Sequence, residues 1–277
     1  MIPIYVILGS TSDEHLFLPG AQQKKAEDPE LTIRVNFASA DNTEEKVKGL
    51  VRTIMVHSRP TAIVSGAGKT NILSGMIKNM IGKADLSIAI PFSDEETGGL
   101  NALLSSSEKP LRNAVLCTGI NASYCAINLA RKFMYTPPEG AIKVVAKGDY
   151  PQIKAVTDIM DNLKIGYMVK KPEQIQQDDL VLNLCCRYTN LKPIDSIVSS
   201  GRGIQVAVRE QESINGWQEY MDCFSGLKST GFVGIGEYMN AVQVAAKISR
   251  NLDCIQKIEL EKKSHATKIR GHKGYDI

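Results

Sequence analysis

The chain has 277 residues, enough for one large domain or two of ordinary size. Its composition, 43% hydrophobic and 23% charged, is that of a globular protein. No apolar run reaches membrane-spanning length, and a net charge of +3 is too small and too dispersed to predict nucleic-acid binding. Met1-Ile2-Pro3 leads straight into an apolar strand without a signal-peptide pattern, so a cytoplasmic location and no membrane partner are expected. The cysteines Cys117, Cys125, Cys185, Cys186, Cys223 and Cys254 show no zinc spacing, and several lie in apolar runs. They read as buried free thiols, and His265 and His272 are not spaced for a metal; no metal site and no cofactor are predicted.

In chain order, strands alternate with helices. Ile4–Leu8 is an apolar run ending in Gly9-Ser10-Thr11-Ser12-Asp13, followed by a helical segment to about Lys25 with Pro19-Gly20 as an expected break. Leu31–Phe37 alternates like a strand and runs into Ala38-Ser39-Ala40-Asp41-Asn42. A helix follows with Val47, Leu50, Val51 and Ile54 on one face and Asn42 or Thr43 as its cap. Thr61–Val64 is a strand, Leu86–Ile90 another, closed by Pro91, and Gly98-Gly99 precedes Leu100–Ser105. Ala114–Cys117 is a further strand, and a long helix runs from beyond Gly119 to Phe133. Strands alternating with helices through short loops predict an α/β protein with a doubly wound parallel sheet. In such a sheet ligands collect beyond the carboxyl ends of the strands, where the small-residue loops fall.

The stretch Thr61–Gly75 stands at the centre of this pattern. After its strand come Ser65-Gly66-Ala67-Gly68, and an apolar-periodic segment opens at Lys69. Glycines at a strand-to-helix junction let the backbone approach a ligand, and the first helical amides point at it, which suits phosphate or carboxylate.

Met134–Gly140 reads as a linker, after which the pattern starts again. Ile142–Ala146, the Lys147–Pro151 loop and a helix to Leu163 echo the first strand, loop and helix. Leu180–Leu184 and Cys185–Leu191 echo the central unit, with Thr189-Asn190 where Thr70-Asn71 stands. Ala126, Leu129, Ala130 and Lys132 match Ala241, Val244, Ala245 and Lys247 at identical spacing. Only Lys170–Asp179 stands where the first copy has the Ser39–His57 loop and helix, so the second copy is shortened. The units read as 1–138, a degenerate repeat over 139–254, and a tail over 255–277, with Ile255 and Ile258 on one helical face and the end beyond Ser264 solvated. Trp217 falls where the first half has Leu100, a packing position.

The Gly9-Ser10-Thr11-Ser12-Asp13 loop, the Ser39-Ala40 loop, the Gly66 loop and the Pro91 strand end occur in this order in one enzyme family. The chain resembles the aminoimidazole ribonucleotide carboxylases and carboxyaminoimidazole ribonucleotide mutases of purine synthesis, over most of residues 1–134 and more weakly over 141–250. The resemblance implies a three-layer flavodoxin-like fold, here duplicated in tandem. It implies a homo-oligomer, a dimer or tetramer of tandem chains, and a phosphorylated ribonucleotide with carbon dioxide or bicarbonate as substrates. It further implies substrate binding by Gly9, Ser10, Thr11, Ser12, Asp13, Ser39, Asn42, Gly66, Ala67, Gly68 and Thr70. Where the family has Ser-Ala-His followed by a cation, this chain has Ser39-Ala40-Asp41-Asn42, so Asp41 stands in the place of the proton-shuttling histidine. Lys69-Thr70-Asn71 looks like the carbon-dioxide-using branch, which makes Asp41, Lys69 and Asn71 the catalytic candidates.

Carboxylating a ring carbon needs a group to remove the displaced proton, and histidine suits this because its pKa lies near working pH. Asp41 serves only if burial raises its pKa, and Lys69 nearby opposes that. His15, in the first helical turn, is a second possible base or a surface residue. Without the histidine, an inactive relative that binds a nucleotide or sugar-phosphate is an open alternative. Ile63–Thr70 also approaches the triphosphate-binding pattern G-x-x-x-x-G-K-[ST], but Ile63 replaces the first glycine, and Asp94 follows Pro91 rather than ending a strand.

Overall fold

The computed structural model describes residues 3–57, 60–68, 72–92, 114–146, 151–185, 191–209, 226–235 and 237–251, with 253, 255–257 and 260 beyond them. The strands β1 (Ile4–Leu8), β3 (Ala62–Ala67) and β4 (Leu86–Pro91) are buried at every position, as continuous apolar runs covered on both faces must be. The strand β2 (Ile33–Phe37) has half-buried and exposed positions, as an edge strand has. They are followed by β5 (Ala114–Leu116), β6 (Ile142–Ala146), β7 (Tyr167–Val169), β8 (Leu180–Cys185), β9 (Ile204–Arg209) and β10 (Thr230–Ile235).

These strands form one ten-stranded sheet in the order β2-β1-β3-β4-β5-β10-β9-β8-β6-β7. Within each half the neighbours are parallel and the order is the same, second-first-third-fourth-fifth, the flavodoxin-like order. The halves meet at the antiparallel pair β5–β10, where Phe232 stands opposite Leu116. An antiparallel junction between two identical parallel orders is what a pseudo-two-fold axis between tandem copies produces. The second copy is the shorter one: a 3-10 turn at Pro172–Gln174 lies between β7 and β8, where the first copy has a 14-residue helix.

Helices cover both faces. On one face α1 (Glu14–Glu27), α4 (Ala122–Tyr135), α5 (Pro151–Leu163) and α7 (Tyr238–Ile248) pack against strands of both halves in one continuous core. On the other face α2 (Glu44–His57) and α3 (Ile72–Met80) cover the first half, and α6 (Leu191–Ser199) covers the second with a core of its own. The copies therefore do not have separate interiors: the larger core ignores the linker.

Two local expectations are corrected. Pro19-Gly20 does not break α1, which runs unbroken from Glu14 to Glu27. Tertiary packing overrides the local signal, because a side chain at position 20 would meet the Tyr124 backbone nitrogen at 2.5 Å, and Gly20 lets α1 lie directly on α4. The Gly66 segment is also not all loop, since β3 extends through Gly66 and Ala67. Of the predicted thiols, Cys117 and Cys125 are free and buried; burial pushes the Cys117 thiol up, and the neighbouring Cys125 adds to this. Cys186, Cys223, Cys254, Asp94, Gly98-Gly99, Leu100–Ser105, the 147–150 and 186–190 loops, Trp217, Ile258 and the end beyond Ser264 lie outside the described residues.

The matched lysines bind the copies reciprocally. Lys132 on α4 is 4% exposed and donates to Val198 O (2.8 Å), Gly203 O (2.9 Å) and Ser229 Oγ (2.8 Å), all in the second half. Lys247 on α7 donates to Asp85 O (2.9 Å) in the first half. Gly203 and Asp85 each precede the fourth strand of their copy, so these are the same contact made in both directions. Burial lowers the Lys132 pKa to about 8, which leaves the ammonium charged at neutral pH to match its three acceptors. On the junction itself a side chain at Gly231 would overlap Val115, its counterpart in the first copy, so the close approach of β5 and β10 needs a glycine on one side.

Replacing Lys132 by Met keeps the stem and leaves three buried acceptors without that donor. Urea unfolding should show a loss of about 2–4 kcal/mol; a loss under about 0.5 kcal/mol, the size of an ordinary surface substitution, would mean that the lysine does not hold the copies together.

Candidate functional site

The carboxyl ends of β2, β1, β3 and β4 lie side by side, and the ladder continues one rung past the strands. Ala38 N–H donates to Leu8 O (2.9 Å), Gly9 N–H to Gly66 O (2.8 Å) and Phe92 N–H to Ala67 O (3.0 Å). This brings the 9–13 loop, the 38–43 loop and the end of β3 to one rim. The 9–13 loop and β3 flank the point where the chain reverses its winding direction, the usual ligand crevice of such sheets.

The 9–13 loop is built as a reciprocal cap. Ser10 N–H donates to Asp13 Oδ2 (3.0 Å), Ser12 N–H donates to Ser10 Oγ (3.1 Å), and the two serine hydroxyls are 2.8 Å apart. A 3-10 turn at Thr11–Asp13 leads directly into α1. Ser10, Thr11 and Ser12 are exposed at this helix start, so hydroxyls and first-turn backbone lie where an anion is favoured. Asp13 is buried beneath them. Burial raises its pKa above the usual carboxylate range, against the opposing pull of the Ser10 amide and of His15. His15 is exposed and turned back on its own turn, with Nδ1 donating to Ser12 O (2.6 Å).

The second loop is held by Ser39 and Thr43. Ser39 N–H donates to Thr43 Oγ1 (2.9 Å), Thr43 Oγ1 donates back to Ser39 O (3.2 Å), and Ser39 Oγ accepts from Asp41 N–H (3.3 Å) and Asn42 N–H (3.4 Å). Thr43 precedes α2 and accepts from Lys46 and Val47 through its carbonyl, so of the two predicted caps Thr43 occupies the helix start. Asp41 and Asn42 are exposed, and the burial that Asp41 needs as a base is absent within the single chain.

At the third loop, Gly66 and Ala67 are paired in β3 and buried, and Gly68 is half-buried. Lys69, Thr70 and Asn71 lie outside the described residues. The missing side chain of Gly66 is taken up by the ring of Phe92: a Cβ there would overlap Phe92 Cε2, lie 2.9 Å from Cζ and 3.1 Å from Leu8 Cδ2. Sequence reasoning missed this clamp; its one signal is an aromatic residue directly after Pro91 at the end of the neighbouring strand. A loop that wraps a triphosphate must leave the sheet before its glycines, whereas Ser65, Gly66 and Ala67 pair with β4, so the geometry argues against that reading.

The rim thus offers exposed hydroxyls at a helix start, a buried carboxyl behind them and an exposed carboxylate on the adjacent loop. Hydroxyls and first-turn backbone at a helix start suit an anionic group, and a carboxylate beside them is a group that can take up a proton. A family model described as AIR carboxylase matches residues 3–143, just over half of the chain. Among solved structures, PurE from Treponema denticola is 24% identical, with 44% of this chain and 76% of that one covered at a TM-score of 0.39. A single-substitution variant of PurE2 from the same organism is 26% identical over 46% of this chain and 78% of that one, at a TM-score of 0.40. The transcription regulator CcpA of Lactococcus lactis is 11% identical over 92% of both chains, at a TM-score of 0.23. No curated protein matches.

Because burial disfavours the Asp13 carboxylate, the folded protein holds that proton more tightly than the unfolded chain. The stability this confers is complete below the ordinary value of 3.8 and is lost as the pH rises through the higher folded value. Thermal unfolding of the wild type and Asp13→Asn across acid to neutral pH should therefore show the variant gaining on the wild type as the pH rises. A difference independent of pH would contradict the buried position.

Proposed function

The chain belongs to the AIR carboxylase family, and on that footing we propose that its first copy binds aminoimidazole ribonucleotide and adds carbon dioxide to the imidazole ring. The observation that carries this reading is the joined rim: the Ser10–Asp13 cap, the Ser39 loop and the end of β3 are tied by backbone hydrogen bonds at the reversal point of the sheet. Ser10, Thr11 and Ser12 hold the phosphate, with Asp13 behind them for the ribose hydroxyls. Gly9, Ser39, Asn42, Gly66, Ala67, Gly68 and Thr70 make up the surrounding wall.

In the reaction the ring carbon, made electron-rich by the amino group, bonds to the carbon of carbon dioxide, and one C=O pair moves onto oxygen. The ring C–H proton then leaves to a base and the ring regains its aromaticity. Asp41 is the proton acceptor in this scheme, and Lys69 with Asn71 receives the new carboxylate. Asp41 becomes a competent base only where a second chain or the ligand covers it, in keeping with a dimer or tetramer of tandem chains. Residues 1–138 form the binding unit, 139–254 a repeat that serves as partner surface, and 255–277 a tail; the protein acts in the cytoplasm. Among the described residues no helix is long and apolar enough to cross a membrane.

A second reading is favoured by the exposure of Asp41: the protein binds the ribonucleotide and does not turn it over. One spectrophotometric assay with aminoimidazole ribonucleotide and bicarbonate, run beside calorimetric titration of the ribonucleotide, separates the two. Turnover in the wild type that falls about 100-fold or more in Asp41→Ala, with binding retained, supports the carboxylase. Binding without turnover supports the inactive relative, and no binding overturns both. In either case Ser10→Ala with Ser12→Ala should weaken binding about tenfold or more, by removal of charge-assisted hydrogen bonds.

A further inference from the structure

We propose that Phe92 is a positioning residue for the ligand loop, although it lies on a different strand and has an apolar side chain; this rests on reading the first copy as a ribonucleotide binder. Phe92 is 5% exposed and is pinned at its backbone by the bond to Ala67 O (3.0 Å). Its ring lies against the Cβ side of Gly66, and Leu8 reaches the same side, so the end of β3 is covered there by two apolar side chains. No residue with a Cβ fits at position 66 while that ring is in place.

The held peptide has one further duty. The carbonyl of Gly66 accepts the Gly9 amide at 2.8 Å, and Gly9 opens the loop whose next residue, Ser10, caps onto Asp13. A Cβ built on Gly9 would lie 3.4 Å from Ala67 Cβ and 3.5 Å from Gly66 O, so the start of the loop lies close against the end of β3. Position is thus relayed from the Phe92 ring to Gly66, from Gly66 to Gly9, and from Gly9 to the serines. Removing the ring leaves Gly66 free to shift on one side, and its carbonyl then no longer fixes the start of the loop. A binding loop supported this way depends on the packing behind it as much as on its own groups.

The test compares wild type, Phe92→Leu and Phe92→Ala by amide hydrogen exchange and by titration with aminoimidazole ribonucleotide. The Gly9 amide reports the relay, and the Ile4 amide, bonded to Thr32 O at the other end of β1, is the control for general loosening. Phe92→Ala should speed exchange at Gly9 about tenfold or more relative to Ile4, and weaken ribonucleotide binding about tenfold. Phe92→Leu, which refills most of the space, should restore both to within about threefold of wild type; if Phe92→Ala does not fold, Phe92→Val takes its place. Equal acceleration at Gly9 and Ile4, or an unchanged Gly9, would overturn the proposal. A wild type that does not bind the ribonucleotide would instead overturn the functional reading, and the exchange ratio would still decide whether Phe92 sets the loop.

Discussion

One backbone hydrogen bond, Gly9 N–H to the Gly66 carbonyl, decides whether this rim is a site or merely three neighbouring loops. Parallel strands end in register, but nothing in a sheet alone fixes the loops that leave it. Here the ladder persists past the strand ends, so the loop carrying Ser10, Ser12 and Asp13 is anchored to the strand that ends in Gly66. The capping arrangement then holds each serine in place without using up its exposed side. On the proposed reading this is an anion site whose loop is already ordered before a ligand arrives.

The second constraint is the pseudo-two-fold junction. Two copies with the same strand order share a continuous core on one face and exchange the Lys132 and Lys247 contacts across it. Such a chain has the architecture of a dimer made in one piece. The copies differ nonetheless: the second has a 3-10 turn where the first has the helix that follows its second strand. It also has a buried polar chain beneath α6, Asn183 to Gln205 to Thr230 to Asp195, whose members are hydrogen-bonded at 2.6–2.7 Å. The corresponding positions of Asn183 and Gln205 in the first copy are Ser65 and Ser87. The copies have thus been specialised in their interiors as well as at their loops.

Much of the fold was legible because its signals are local. The apolar runs of β1 and β4, the small-residue loop after β1 and the spacing of Ala126 to Lys132 against Ala241 to Lys247 all lie in short windows. What stayed hidden depends on contacts between distant segments. Pro19-Gly20 reads as a break until α4 is seen against Gly20, and Gly66 reads as open loop until it is seen paired in β3 with Phe92 beside it. Nor does the repeat announce that the copies would join edge to edge through one antiparallel pair. For the site, the sequence marked the Gly9–Asp13 and Ser39–Asn42 loops, and the structure brings both to one rim; it does not describe Lys69, Thr70 and Asn71. The exposure of Asp41 is a property of the folded rim and has no local signature.

The central claim is that the earlier copy alone carries a working pocket for a phosphorylated ribonucleotide. A crystal structure of the full chain grown with aminoimidazole ribonucleotide tests it most directly. The account predicts phosphate density at the hydroxyls of Ser10 and Ser12, with the imidazole ring reaching toward Asp41. Density in the later copy, or an empty rim at saturating ribonucleotide, would contradict it.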